Sequence, residues 1–264
     1  MDLGLNQRWV LVTGSSAGIG YAAAEQFARE GARVIVNGRD EGRLAAAVAK
    51  LKAAYGAGRI FGVAADLATA EGCAKVTSAH PDVDVLVNNA GIFAPQAFED
   101  ISDDDWRRFF ETNVLSGVRL ARHSFPRMLA KNYGRIIFVS SESAVQIPVE
   151  MIHYGTTKTA QLAVARGLAE RTRGTGVTVN SVLPGPTGSE GVATFVADLA
   201  KHRGVSFADM EREFFATARP SSLLQRFATP AEVANLIVYV ASDAAAATNG
   251  AALRVDGGVV RSIL

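Results

Sequence analysis

The stretch Thr13-Gly14-Ser15-Ser16-Ala17-Gly18-Ile19-Gly20 joins an apolar run, Trp9–Thr13, to a helix-patterned run, Ile19–Glu30. Glycines at a strand-to-helix junction permit a tight turn and let backbone N–H groups at a helix N-terminus approach a pyrophosphate. The spacing is G-x-x-x-G-x-G, so the turn reads as a dinucleotide cradle at the head of an α/β pattern.

That pattern continues to the end of the chain. Strand candidates are Trp9–Thr13, Arg33–Asn37, Arg59–Ala64, Val83–Asn88, Arg135–Ser140, Val177–Val182 and Ala251–Val255. Most are continuous apolar runs, as parallel strands covered on both faces require. Between them lie helical stretches at Ile19–Glu30, Glu41–Tyr55, Ala70–Ala79, Asp103–Lys131, His153–Arg173 and Ala231–Ala241. The alternation predicts an α/β fold: a doubly wound, parallel, seven-stranded sheet of Rossmann type with helices on both faces. Ser102 reads as a helix N-cap with an acid at N3, Gly31 and Gly174 as helix stops, and Pro126 as a kink in the fourth helix. Nothing repeats and no linker interrupts, so residues 1–264 read as one domain. The irregular stretch at about 188–229, with amphipathic pieces at Ala193–His202 and Phe207–Ala218, is expected to form a substrate lid.

Composition removes other classes. The 27 Lys+Arg against 26 Asp+Glu leave a net charge of +1, without the basic excess that nucleic-acid or anionic-membrane binding rests on. The one cysteine, Cys73, cannot form an intramolecular disulfide. It reads as a small buried residue in a reducing compartment. His80, His123, His153 and His202 show no ligand spacing, so no metal is expected. No apolar stretch approaches the ~20 residues of a membrane span, and a cytoplasmic location is expected.

After the second strand the chain reads Val36-Asn37-Gly38-Arg39-Asp40. An acid there would bind the adenosine ribose diol and select NAD, whereas an arginine accommodates a 2′-phosphate. Gly38 occupies the acid's slot and Arg39 follows, which favours NADP(H) over NAD(H); Arg43, one turn on, stands ready to assist. Asp66 is placed either to touch adenine or to cap the next helix.

Tyr154 and Lys158 are i and i+4 on one helix face. Tyrosine, with a free pKa of ~10, works as an acid–base only once its phenolate is stabilised. A Lys ammonium at ~4 Å supplies about 4 kcal/mol at an effective dielectric of ~20. The pair therefore suits proton transfer to a carbonyl oxygen in a partly dry cleft.

These residues resemble those of the short-chain dehydrogenase/reductase family over essentially the whole chain. Thr13–Gly20 is similar to its TGxxxGxG turn and Asn88-Asn89-Ala90-Gly91 to its NNAG. Ser141, Tyr154 and Lys158 are similar to its Ser…YxxxK set, Asn113 to its helix asparagine, and Asn180–Gly185 to its N-x-x-x-P-G. The resemblance implies an oxidoreductase interconverting a ketone and a secondary alcohol. Tyr154 would be general acid/base, Lys158 would tune it and hold the nicotinamide ribose, Ser141 would bind the substrate oxygen, and Asn113 would hold a relay water. It implies cofactor contacts from Gly14, Ser15, Ser16, Gly18, Ile19 and Gly20, then Arg39, Asp66 and Leu67. Asn88, Ala90, Gly91, Tyr154, Lys158, Pro184, Gly185 and Thr187 complete that set. It also implies pro-S hydride transfer, no metal, and a homotetramer (or a homodimer) built on the fourth and fifth helices and the C-terminal segment.

Departures from the family pattern are few. Ala17 stands where a basic residue is frequent in NADP-dependent relatives, and Ala144 where glycine is. Substrate determinants are expected at Ala144, Gln146, Met151, His153 and the lid, with the substrate a small carbonyl compound or alcohol. His153 itself reads as a helix-surface residue, Glu142 as a solvated loop acid, and Trp106, Phe109 and Phe110 as core or subunit interface. Two competing readings remain: an NAD-linked alcohol or sugar dehydrogenase, and a dinucleotide-binding sensor without chemistry.

Overall fold

The computed structural model describes residues 1–190, 192 and 206–263. The elements run β1 (Trp9–Val12), α1 (Gly18–Arg29), β2 (Arg33–Gly38), α2 (Glu41–Tyr55), β3 (Ile60–Ala64), α3 (Ala70–Ala79) and β4 (Val85–Asn88). Then follow α4 (Asp103–Phe110), a π-helical turn (Glu111–Leu115), α5 (Ser116–Lys131), β5 (Gly134–Val139), α6 (Ile152–Glu170) and β6 (Val177–Pro184). The chain closes with α7 (Phe207–Thr217), α8 (Pro230–Val240) and β7 (Ala252–Val255). The seven strands are parallel in the order β3-β2-β1-β4-β5-β6-β7. The order reverses between β1 and β4, and the crevice outside their carboxyl ends is where such sheets bind ligands.

Alternate residues of each central strand feed opposite cores. Val10, Val12, Val34 and Val36 pack against Ala23, Ala24 and Phe27 of α1 and Val233, Ala234 and Ile237 of α8. Leu11, Ile35 and Leu86 pack against Val76 of α3, Leu120, Phe125 and Met128 of α5, and Ala165 of α6. Both faces are thus covered, which accounts for strands in which apolar residues run consecutively rather than alternating with polar ones. Cys73 lies in the second of these cores, 3% exposed, with Sγ near the Leu67 carbonyl.

The fourth helical stretch departs from expectation. Helix α5 is not interrupted at Pro126 but continues through it to Lys131, and the break in regular α-helix lies upstream in the π-turn at Glu111–Leu115. There Asn113 clamps the loop after β4: its Oδ1 accepts from Ile92 N at 2.8 Å and its Nδ2 donates to Ile92 O at 3.0 Å. Ser102 does cap α4, accepting from Asp105 N. Thr229 and Glu232 form a reciprocal capping box at α8, with Pro230 as its first residue.

The stretch expected to form a lid is pinned at its base. Gly188 N donates to Ala228 O at 2.8 Å, and Ala228 N to Pro186 O at 2.9 Å. Met210, Phe215 and Phe227, with Val192 and Phe214, form a small core of their own. The amphipathic piece expected at Ala193–His202 lies outside the described residues.

Candidate active site

The turn from β1 to α1 is held by side-chain hydrogen bonds to its own backbone and to the neighbouring strands. Ser15 is buried, donates to Val12 O at 2.6 Å, and accepts from Asn37 N at 3.0 Å. Thr13 Oγ1 accepts from Asn89 N and Ala90 N, while Asn89 Nδ2 donates to Thr13 O and Gly14 O. Gly18 has φ +59°, and a Cβ on Gly20 would lie 2.4 Å from Gly14 O, so neither tolerates a side chain.

Helices α2, α3, α4, α7 and α8 begin on side-chain caps: Asp40, Thr69, Ser102, Ser206 and Thr229. Helix α1 begins on Ala17, which offers none, and its first turn, Gly18–Gly20, lines the main cleft. An uncapped positive helix end opening onto a cleft fits the pyrophosphate of a dinucleotide.

That cleft is a cavity of ≈ 630 Å³ at the sheet's carboxyl edge. Its lining brings together Gly18, Ile19, Gly20, Gly91, Ser141, Tyr154, Lys158, Pro184, Gly185 and Thr187 of the anticipated site. Gly14, Ser15, Ser16, Arg39, Asp66, Leu67, Asn88, Ala90 and Asn113 do not line it. Arg39 is exposed on the rim of β2, without an ion pair or hydrogen bond among the described residues. Arg43 reaches Glu190 at 3.6 Å, both exposed. Asp66 closes an Asx turn onto Ala68 N, and Thr69 caps α3 in its place. The Leu67 side chain belongs to the core. Asn88 is buried beneath Gly117, and its amide finds no partner among the described residues.

In the cavity, Lys158 Nζ donates to Val139 O at 3.0 Å and to Gln161 Oε1 at 3.3 Å. It lies 5.6 Å from the centre of the Tyr154 ring. Burial pushes the ammonium down to about 8. Burial pushes the Tyr154 phenol well up from its ordinary value; the Ser141 side chain and Arg219 pull the other way, and Glu142 adds to the rise. Lys158, expected to lower the phenol, is turned instead to Val139 and Gln161.

Two side chains contradict their sequence reading. Glu142 is not solvated: it is 4% exposed. Its Oε2 accepts from Ser141 Oγ at 2.5 Å and Ser143 Oγ at 2.7 Å, and its Oε1 from Arg219 Nε at 3.1 Å. Arg219, unremarked in the sequence, also reaches Glu150 Oε1 at 3.1 Å. His153 is fully buried rather than on the surface, 4.0 Å from the Phe109 ring centre and 6.1 Å from that of Trp106. It faces away from the cavity, and neither ring nitrogen has a partner among the described residues. Of the other expected substrate determinants, Met151 lines the cavity; Ala144 and Gln146 do not. Arg219 had no local signal, since its carboxylate partners lie 77 and 69 residues away; Gln161 is one helical turn from Lys158, and that i, i+3 spacing could have flagged it.

Fold, switch-point cleft and the Ser141–Tyr154–Lys158 grouping define an oxidoreductase, and a sequence profile described as short chain dehydrogenase matches residues 8–200. The chain belongs to this family, whose members act on alcohol and ketone substrates. It is 48% identical to the uncharacterized oxidoreductase YvrD and 46% identical to the uncharacterized oxidoreductase YvaG, both of Bacillus subtilis, over 100% of each chain. It superposes with a TM-score of 0.93, at 34% identity and over 100% of both chains, on the L-sorbose reductase of Gluconobacter frateurii solved with NADPH and L-sorbose. No helix among the described residues is long and apolar enough to cross a membrane.

Proposed function

We propose that this chain is an NADP(H)-preferring oxidoreductase that interconverts a ketone and a secondary alcohol, with Tyr154 as general acid and base. The observation that carries the reading is Tyr154, Ser141 and Lys158 converging on one cavity with the uncapped start of α1. NADP(H), when bound, supplies the hydride and, in its oxidised form, a positive charge beside the phenol. The protein's own part is proton handling and positioning. A phenol whose pKa is raised by burial stays protonated at neutral pH and stands ready to donate to a carbonyl oxygen. Ser141, whose hydroxyl proton is given to Glu142 in this structure, would turn that proton to the carbonyl oxygen when substrate binds. Lys158, fixed by Val139 and Gln161, supplies the cation that favours the phenolate when the reaction runs as oxidation. Asn113 shapes the loop after β4 beside Gly91 and orders the relay water there.

Gly14, Ser16, Gly18, Ile19 and Gly20 would hold the diphosphate through backbone and the Ser16 hydroxyl, and Arg39 would hold the 2′-phosphate. Exposure of Arg39, with no competing ion pair among the described residues, supports that role. The segment 188–229 acts as the substrate lid, which its independent core and pinned base support. The family resemblance is what supports reading the active protein as a cytoplasmic homotetramer or homodimer.

The test is a panel of ketones and alcohols assayed with NADPH, NADH and the oxidised cofactors. Tyr154→Phe should retain NADPH binding and lose turnover by several orders of magnitude, on the scale of general acid–base catalysis. Near-wild-type activity in that variant would sink the mechanism.

A further inference from the structure

The substrate end of the cavity has an unusual charge arrangement. One guanidinium, Arg219, lies between two carboxylates: its Nε donates to Glu142 Oε1 and its Nη1 to Glu150 Oε1, each at 3.1 Å. The Glu142–Arg219 pair is closed, with side chains 5% and 9% exposed, and the second Glu142 oxygen is taken by Ser141 and Ser143. Glu150, 43% exposed, leaves the cluster one unit negative. Lys158, the cavity's other cation, is directed at Val139 and Gln161. The same cavity is lined by Phe93, edge-on to Tyr154 at 6.4 Å, by Met151, and by Phe214, whose ring lies 5.9 Å from the Arg219 guanidinium.

We propose that the substrate is a neutral carbonyl compound bearing several hydroxyl groups, and that Glu150 determines this choice. The inference rests on the ketone/alcohol reading of Tyr154 and narrows it. A hydroxyl donates to a carboxylate in a charge-assisted hydrogen bond. The C–H face of the same carbon chain packs on Phe93 and Phe214. A substrate carboxylate meets like charge at Glu150 and finds no uncommitted cation among the described residues lining the cavity. At separations of several ångströms and an effective dielectric of ~20, that repulsion is worth at least about tenfold in affinity. An aliphatic ketone forgoes the hydrogen bonds.

The experiment uses the full chain with NADPH and three carbonyl compounds of equal carbon number. These are a ketose, the keto acid in which one terminal CH2OH is replaced by a carboxylate, and an unsubstituted ketone. The ketose should exceed both others in kcat/KM by about tenfold or more. Glu150→Gln should narrow the ketose to keto-acid ratio by about tenfold through KM, with kcat for the ketose changed less than about threefold. Glu150→Asp, which keeps the charge, should restore the ratio, an outcome that a merely structural role for Glu150 does not give. A wild type that prefers the keto acid or the plain ketone overturns the proposal and leaves the ketone/alcohol reading standing. So does a ratio indifferent to Glu150→Gln in a variant whose Tm matches wild type. Absence of turnover on every ketone and alcohol, with either cofactor, removes both.

Discussion

Ser141 Oγ donates to Glu142 Oε2 at 2.5 Å, and the same carboxylate is held from behind by Arg219. The orientation of the serine hydroxyl is thus set by an ion pair that bridges β5's end and the segment after α7. Both charges are buried, so they stabilise one another only as a pair. Removing one partner of a buried pair leaves an uncompensated charge and typically costs about 3–5 kcal/mol, whereas neutralising both is far milder.

A double-mutant cycle reads that coupling. Arg219→Met alone should lower unfolding stability by about 3 kcal/mol, moderated by the hydrogen bonds Glu142 retains with Ser141 and Ser143. Glu142→Gln combined with Arg219→Met should recover much of the loss in urea unfolding. A double variant whose loss equals the sum of the losses of Arg219→Met and Glu142→Gln measured singly would show that the two residues are not coupled.

If the proposed NADP(H) preference holds, Arg39 should carry it, because Gly38 leaves the acid's slot empty and Ala17 adds no cation. Arg39→Asp should shift the NADPH/NADH ratio of kcat/KM towards NADH by about ten- to hundredfold, the worth of one charge-assisted hydrogen bond. Arg39 is exposed, so Tm should hold. An unchanged ratio would refute the assignment.

What local sequence could and could not disclose follows from the range of each interaction. The strands were legible because both faces of the sheet are covered, and the β1–α1 turn because its glycines answer steric demands within a few residues. Asp103–Lys131 reads as one helix since its apolar period persists, yet the π-turn is stabilised by Asn113 gripping Ile92, on a separate loop. Glu142 looks solvated because its partner Arg219 is 77 residues away. His153 looks superficial because the rings that cage it, Trp106 and Phe109, belong to another helix.

That cage makes His153 an acid-sensitive point. Burial lowers its pKa from 6.5; Asp105 opposes the shift and Arg108 adds to it. A histidine with a depressed folded pKa takes up its proton more readily when unfolded, so stability falls as pH drops through 6.5 and levels off below the folded pKa. His153→Leu, close in volume and free of ring nitrogens, should lose less. The Tm gap between variant and wild type, measured from pH 8 to pH 5, should widen in the variant's favour below about 6.5. A gap independent of pH would contradict the neutral, caged ring.

Lys158 carries the same logic at alkaline pH, where its stability cost can be set against the catalytic role proposed for it. Burial brings its folded pKa to about 8 from 10.5, so between those values the unfolded chain holds more protons and stability rises with pH. Below about pH 8 the full penalty of a buried ammonium applies, on the order of 3 kcal/mol. Lys158→Met removes that penalty but strips Val139 O and Gln161 Oε1 of their donor, at about 1 kcal/mol each. At pH 7 the inactive variant should therefore unfold at a higher temperature than wild type. The gap should close as pH rises from 8 to 10.5, because wild type alone gains across that window. Parallel Tm–pH curves would mean that the Lys158 ammonium is not strained by its burial. Convergent ones would show that the cation placed beside Tyr154 is maintained at the expense of stability.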